Sequence, residues 1–159
     1  MRIALMVLRL FIQAPYYFFR IWWCGKSKKI SMEESFALIK KVTKKANRAG
    51  RVAVEAYGIE NLPKEDGFIL FPNHQGLYDV LAILDACPRP FSVVMKKEVA
   101  NIPFLKQVFA CMKAIPLDRS DIRQGMKVIL QVAEEVKNGR NYLIFAEGTR
   151  SKNGNHPLE

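Results

Sequence analysis

A histidine and an aspartate stand five residues apart in the stretch NHQGLYD, which begins at Asn73. His74 is suited to accept a proton, because imidazole is the side chain that ionises near neutral pH. Asp79 can hydrogen-bond one ring nitrogen, which fixes the tautomer and stabilises the imidazolium that forms. No Ser or Cys stands beside His74, so the pair predicts a base that activates a substrate hydroxyl and not an enzyme nucleophile.

The same stretch has a second interpretation, in which Asn73 caps the following helix and His74 lies in a surface loop. The spacing H-x-x-x-x-D alone is a weak signal and favours this second interpretation. A metal site is a poorer interpretation than either, because no second His or Cys lies nearby in the sequence.

Polar groups also follow three other apolar stretches that resemble β-strands. These groups are Lys96-Lys97, Asp118-Arg119 and Glu147-Gly148-Thr149-Arg150. Lys96, Arg119 and Arg150 form a cationic set suited to phosphate, since arginine offers a bidentate fork and lysine a point charge. Gly148 allows a close backbone approach to a ligand, and Glu147 can hold an arginine or a substrate hydroxyl. The alternative for each of these charges is ordinary ion pairing at the end of a strand.

The chain from Arg51 onward alternates between strand-like and helix-like patterns. The predicted strands are 51–57, 68–71, 91–95, 113–117 and 142–146, and the predicted helices are 77–86, 103–110 and 121–137. Such alternation predicts an α/β fold with a mostly parallel, twisted sheet covered by helices. Ligands of such sheets bind at the carboxyl ends of the strands, where the polar groups would lie.

The last predicted helix has a clear amphipathic pattern. Its apolar positions are Ile122, Met126, Ile129, Leu130, Ala133 and Val136. Asp121 is the expected cap at its start, and Asn138-Gly139 is expected to end it. These positions form an apolar stripe along the helix.

The first 24 residues form the most hydrophobic segment of the chain. Its interruptions are Arg9, Gln13, Pro15 and Arg20. They oppose a simple spanning helix, which needs about 20 mostly apolar residues. Aromatic residues between 16 and 23 suit the headgroup level of a bilayer, and the following Lys26-Ser27-Lys28-Lys29 indicates the cytoplasmic side. We interpret the segment as a helix that lies in or dips into one leaflet. A buried helix under a protein core and a true span are the alternatives.

Ser31-Met32-Glu33-Glu34 resembles a capping box, with Ser31 as the N-cap and Glu34 at the third helical position. The helix that follows has an apolar face and a basic face, and Gly50 is expected to end it. Such a helix is either a second membrane-surface helix or a helix with a solvated charged face. We therefore predict two regions, membrane-associating helices over 1–49 and an α/β domain over 50–159.

The composition limits the class of protein. At 159 residues the chain suits one domain with a real core, and its 50% of hydrophobic residues opposes disorder. Lys plus Arg exceed Asp plus Glu by 25 to 15, a net charge of +10 that attracts nucleic acid, anionic lipid or phosphorylated small molecules. We disfavour nucleic acid as a partner, because the basic residues cluster beside the aromatic segment and no nucleic-acid-binding signature is present. Three widely spaced cysteines indicate reduced thiols.

Three motifs, in this order and at these separations, resemble the glycerolipid acyltransferase family, and more narrowly the 1-acyl-sn-glycerol-3-phosphate (lysophosphatidate) acyltransferases. The matching residues are Asn73, His74 and Asp79 for N-H-x-x-x-x-D, 116–119 for a motif that ends in D-R, and 147–150 for E-G-T-R. Residues 58–63 and 95–104 also look like segments of the family. The resemblance covers roughly residues 51 to 151.

The resemblance implies an acyltransferase domain over 50–159 and a mechanism for it. His74 acts as the base on the acceptor hydroxyl, Asp79 orients it, and the alkoxide attacks the thioester of acyl-CoA or acyl carrier protein. Lysophosphatidate is the acceptor and phosphatidate the product, made at the cytoplasmic face of a membrane whose lipids are partners. The implied substrate-binding residues are Lys96, Arg119, Glu147, Gly148, Thr149 and Arg150, with Arg150 and Lys96 foremost for phosphate. No metal, cofactor or covalent acyl-enzyme is implied.

The sequence departs from the family pattern in three places. Lys106 and Lys113 stand where the family usually has Gly, which would alter loops near the acceptor. The family's fourth motif, V-P-[IV]-x-P, has no counterpart before Glu159. We therefore expect part of the usual C-terminal fold to be missing, so that the chain is either a fragment or a shortened lipid-binding form with weak or no activity.

Overall fold

The computed structural model describes residues 2–74 and 78–145, with side chains from residue 4 onward. The helices are α1 (Arg2–Leu10), α2 (Ala14–Lys26), α3 (Met32–Ala49), α4 (Asp79–Ala86), α5 (Leu105–Cys111) and α6 (Ile122–Lys137). The strands are β1 (Ile69–Leu70), β2 (Ser92–Lys96), β3 (Ile115–Leu117) and β4 (Tyr142–Ile144). Short 3-10 helices span Ile59–Asn61 and Lys97–Asn101.

The described strands form one parallel sheet in the order β1-β4-β2-β3. Leu70 of β1 pairs with Leu143 of β4. Val94 of β2 pairs with Ile144 on one side and with Ile115 on the other. Because the strands are parallel, their carboxyl ends meet at one edge of the sheet. The predicted fold class, a parallel sheet covered by helices, is confirmed.

The sheet has a hydrophobic core on each face, because successive strand residues point to opposite sides. Val93 and Leu143 pack with residues of α2 to α5, whereas Val94 and Tyr142 pack with α6. The chain moves in one direction along the sheet from β1 to β2 to β3, and it returns from β3 to β4. Parallel crossovers are right-handed, so the returning helix α6 must cross the opposite face.

The N-terminal helices contribute to the same core as the α/β part. Ile21 of α2 and Phe36 of α3 are buried with Phe91 and Val93, and the rings of Phe36 and Phe91 lie 5.1 Å apart. Gly25 lets α2 approach α5 closely, since a Cβ there would lie 2.9 Å from that of Ala110. The core is therefore continuous across residues 49 and 50, where the two predicted regions meet.

The predicted capping box at the start of α3 is confirmed. The Ser31 hydroxyl accepts a hydrogen bond from the backbone N–H of Glu34, and the Glu34 carboxylate accepts one from the Ser31 N–H at 2.9 Å. Gly50 follows the helix as its C-cap, as predicted. The apolar face of α3 is buried in the protein core, so its basic face is the one that remains exposed.

The predicted strand over 51–57 is wrong. Arg51 lies in a turn with a φ of 54°, and no described strand pairs with residues 52–57. Positions 51–55 alternate between exposed and half-buried, as in Val52 and Ala53. Tyr57 is 88% exposed. Alternation of apolar and polar residues indicates only that one side of a segment is covered. A strand also needs a partner for its backbone N–H and C=O groups. The other predicted strands form, with ends that differ by at most two residues; Ala146, the last residue of the predicted strand 142–146, lies outside the described residues.

Helix α6 forms as predicted, with Asp121 as a cap that accepts from the N–H of Gln124. The apolar positions named from the sequence are mostly not the ones that pack against the sheet. Val128 and Val132 are buried against the sheet, whereas most of the predicted stripe is exposed. The exposed residues of this stripe include Ile122, which is 84% exposed, Met126, Ile129 and Leu130. The apolar arc of this helix is about 200° wide, and only one side of it meets the sheet.

The hydrophobic N-terminus is two helices with a bend of 93° between Ala4–Leu10 and Ala14–Lys26. Pro15 lies in the first turn of α2, where its missing N–H costs no helical hydrogen bond. By length and composition no single described helix suffices to cross a bilayer, and only the bent pair taken together passes that test. Helix α2 buries Ile21 and Cys24 in the core and exposes aromatic side chains on its other side.

Candidate active site

The structure brings His74 and Asp79 together at the carboxyl edge of the sheet. Nδ1 of His74 lies 3.0 Å from Oδ2 of Asp79, and their side chains are 22% and 24% exposed. His74 follows β1, and Asp79 is the first residue of α4, where the helix dipole favours a carboxylate. An ionised carboxylate only accepts, so Nδ1 carries the hydrogen and Nε2 keeps the lone pair that a base needs.

The alternative for this stretch, a helix cap beside a surface histidine, is wrong. The N-cap of α4 is Tyr78, and its side chain makes no capping hydrogen bond to the described helix. Asn73 lies five residues before that position and is exposed. The His74 ring is mostly covered, because it packs against a neighbouring side chain.

That neighbour is Phe145, the residue that directly follows β4. The rings of His74 and Phe145 have centroids 4.3 Å apart and an angle of 40° between their planes. Phe145 therefore covers one side of the imidazole and limits its rotation. From the sequence, Phe145 was predicted only as a strand residue, and the available signal was its place two residues before Glu147.

A buried polar group on α3 also contacts the helix that carries Asp79. Asn47 is 2% exposed. Its side-chain carbonyl accepts a hydrogen bond from the Tyr78 hydroxyl, and its amide donates to Oδ2 of Asp85 at 2.6 Å. Nothing in the local sequence around Asn47 indicates this link, because its partners lie more than thirty residues away.

An ion pair joins the carboxyl ends of β2 and β3. Nζ of Lys97 lies 3.0 Å from Oδ2 of Asp118. The hydroxyl and N–H of Ser120 also donate to Asp118, and these bonds together with Lys97 lower the pKa of Asp118 to about 2. Asp118 in turn raises the pKa of Lys97. Ion pairing at the strand ends, the alternative considered from the sequence, thus involves Lys97 and Asp118. These residues are the neighbours of the predicted ligands Lys96 and Arg119.

The strand order sets the distance between His74, which follows β1, and the strand end that carries each predicted ligand. Adjacent strands lie about 4.8 Å apart, so β4, β2 and β3 are about 5, 10 and 14 Å from β1. Lys96 ends β2 and Arg119 follows β3, and both side chains are exposed. Glu147, Gly148, Thr149 and Arg150 follow β4 in the sequence and lie outside the described residues.

Within 2–74 and 78–145, no group of three or more His, Cys, Asp or Glu side chains is arranged to hold a metal ion. All three cysteines are free and buried. Burial raises the pKa of the Cys111 thiol above its usual range, so that this side chain stays protonated.

Residues 53–159 match the model of a family described as Acyltransferase. A 1-acyl-sn-glycerol-3-phosphate acyltransferase of Borreliella burgdorferi is 28% identical over 120 residues, which is 76% of this chain and 48% of that protein. One of Pseudomonas aeruginosa is 34% identical over 100 residues, 62% of this chain and 38% of that protein. The chain spans about half or less of the length of these relatives.

A solved structure shares the fold. It is the 1-acyl-sn-glycerophosphate (LPA) acyltransferase PlsC from Thermotoga maritima, with a TM-score of 0.71 and 25% sequence identity. The match covers 97% of this chain and 65% of that one. The likeness therefore includes the N-terminal helices as well as the sheet.

Proposed function

The chain belongs to the acyltransferase family, and from this premise we propose that it transfers a fatty acyl group from a thioester to the free hydroxyl of lysophosphatidate, giving phosphatidate. The observation that carries the proposal is the 3.0 Å contact between His74 and Asp79 at the carboxyl edge of a parallel sheet. The names of relatives from two bacteria and of a solved structure support this choice of acceptor.

The geometry of the pair supports the following reaction. Nε2 of His74 takes the proton of the acceptor hydroxyl while Asp79 holds Nδ1–H and stabilises the imidazolium. The hydroxyl oxygen attacks the thioester carbonyl, the C–S bond breaks, and the thiolate leaves with the proton returned by His74. General base catalysis supplies about 10²–10⁴-fold, so positioning of the two substrates must supply much of the rest.

Lys96, Arg119 and Arg150 bind the phosphate of the acceptor. The helices that follow β2 and β3 leave on opposite faces of the sheet, which is the arrangement that opens a crevice outside the strand ends. Lys97 neutralises Asp118 at this crevice, so that the two neighbouring cations keep a positive field toward an anion. Glu147, Gly148 and Thr149 complete the substrate site in this proposal.

The protein works at the cytoplasmic face of a membrane. Helices α1 and α2 and the turn between them expose large apolar side chains, among them Val7, Leu8, Phe11, Ile12, Phe19 and Trp23. A shallow apolar groove on α2 is lined by Tyr16, Phe19, Arg20, Trp22 and Trp23. Lys26 lies over the ring of Trp22 at 4.3 Å, a pairing suited to the headgroup level. Lys28 and Lys29 follow on the same side of the sequence and favour anionic lipid.

The test is acyl transfer by the protein in phospholipid vesicles, with labelled acyl-CoA and labelled acyl carrier protein supplied separately. We expect labelled phosphatidate from lysophosphatidate with one of these donors, and a loss of about 10²–10⁴-fold in His74→Ala. Unchanged transfer in His74→Ala would falsify the mechanism. Saturable binding of lysophosphatidate without transfer from either donor would identify the lipid-binding alternative.

A further inference from the structure

Asn47 is a polar side chain buried inside the layer of helices, and it makes both of its hydrogen bonds to one neighbouring helix segment. Its Oδ1 accepts from the hydroxyl of Tyr78, and its Nδ2 donates to Asp85 at 2.6 Å. A buried amide is costly unless both of its halves are bonded. The two bonds together satisfy Asn47 and fix its orientation.

Tyr78 and Asp85 mark the two ends of α4, the helix that begins at Asp79. They are seven residues apart, which is about two turns, so both lie on the same face of the helix. One amide on α3 thus ties the start and the last turn of α4. This arrangement fixes both the position of α4 along its axis and its rotation.

The two members of the His74–Asp79 pair are supported by different parts of the fold. His74 packs on Phe145 at the end of β4, so the sheet holds the imidazole. Asp79 belongs to α4, which the buried amide of Asn47 ties to α3. A displacement of α4 by about 1 Å would stretch the 3.0 Å contact beyond the length of a hydrogen bond.

We propose that Asn47 is a positioning residue that holds α4 so that Asp79 stays within hydrogen-bond distance of His74. Asn47 touches neither substrate nor the reacting atoms and acts through Tyr78 and Asp85. Only the effect of Asn47 on kcat rests on the proposed function. The effect of Asn47 on the His74 imidazole is a property of the protein without substrate.

The first variant is Asn47→Asp, which keeps the acceptor for Tyr78 but sets a second carboxylate against Asp85. Lys44, whose Nζ lies 3.9 Å from Asp85, is half exposed and screens this repulsion only in part. We expect kcat to fall at least tenfold while the KM for lysophosphatidate stays within twofold. The double variant Asn47→Asp/Asp85→Asn exchanges donor and acceptor and restores the bond, so its kcat should return to within threefold of the original.

The second readout is the tautomer of His74, observed by nitrogen-15 NMR on histidine-labelled full chain without substrate. In the unaltered protein His74 carries its hydrogen on Nδ1, and in Asn47→Asp both neutral tautomers should appear. His156→Gln assigns the signal of the other histidine. Because this measurement needs no acyl transfer, it tests the positioning role even if the proposed reaction is wrong.

Asn141 offers a matched control, because it is also 2% exposed and bonded through both halves of its amide. It lies just before β4, at the opposite edge of the sheet from His74. Asn141→Asp should lower Tm and leave the tautomer and kcat unchanged.

If Asn47→Asp does not fold, Tyr78→Phe removes a single hydroxyl from the same network and should shift the tautomer in the same direction. A lowered Tm in either variant with an unchanged tautomer, or a double variant that recovers nothing, would overturn the proposal.

Discussion

The imidazole of His74 lies against the ring of Phe145, with centroids 4.3 Å apart, so the end of β4 packs directly on the side chain that follows β1. β4 is the neighbour of β1 in the sheet, although the two strands are more than seventy residues apart in the chain. The position of the His74 imidazole is therefore set by the strand order as well as by its local motif.

We expect Phe145→Ala to lower kcat about threefold to tenfold, because a packed pair of aromatic rings contributes about 0.5–1.5 kcal/mol to holding the imidazole. Phe145→Leu keeps most of the side-chain volume but lacks the flat ring, so its kcat should lie between those of the original protein and Phe145→Ala. Steady-state kinetics with a parallel Tm measurement checks this. Equal kcat in all three proteins would show that the ring contact does not matter.

Asp79→Asn should reduce kcat by about 10²–10⁴-fold, because the amide cannot stabilise the imidazolium and no longer selects one tautomer. Asparagine has nearly the same shape as aspartate, so a parallel Tm measurement separates a loss of catalysis from a loss of the fold. Asp66→Asn, at a half-exposed carboxylate that pairs with Arg89, is the control and should keep full activity. Activity of Asp79→Asn within threefold of the original would remove Asp79 from the mechanism.

The stability of the protein should fall above pH 10. Burial and a hydrogen bond to Glu135 raise the pKa of Tyr142 to about 12. The folded state holds this proton more tightly than the unfolded chain, so the contribution is complete below about pH 10 and is lost as the pH rises through 12. Tm measured from pH 9 to 12 should fall more steeply in the original than in Tyr142→Phe. Tyr57→Phe, at an exposed position, should keep the original slope, and identical slopes in all three would contradict the expectation.

Helix α6 allows a comparison of two apolar substitutions on one element. Val132→Ala should destabilise the protein by about 1.5–3 kcal/mol, because Val132 is buried against the sheet. Ile129→Ala, at an exposed position, should change the free energy of unfolding by less than about 0.5 kcal/mol. Urea unfolding of both variants tests this, and equal losses would mean that Ile129 is covered in solution.

Features that depend on near neighbours in the chain could be predicted from the sequence. The capping box of Ser31 and Glu34, the Asp121 cap and the five-residue separation of His74 and Asp79 each involve side chains within one or two helical turns. The alternation of strands and helices predicted a parallel sheet for the same reason. The local pattern also placed the polar groups at the ends of strands.

The remaining features depend on contacts between distant segments. Strand order determines that Phe145 meets His74, and no local pattern contains it. The apolar arc on α6 is so wide that either of its sides could pack against the sheet. In the structure, the side with Val128 and Val132 does so. The alternation at 51–57 was present, but a strand needs a partner that the local residues cannot reveal. The burial of Ile21 and Phe36 likewise depends on the core that α2 and α3 share with the sheet.

The shared core limits which N-terminal residues can be removed or replaced to lower the exposed apolar surface of this protein. Deleting residues 1–49 would strip Ile21, Cys24, Phe36 and Ile39 from beneath β2 and leave Phe91 facing solvent, so the remainder would aggregate. It would also remove Asn47, and with it the tie to the helix that carries Asp79. The alternative is to keep α2 whole and replace its outward aromatic residues, Phe19 and Trp23, with polar helix formers.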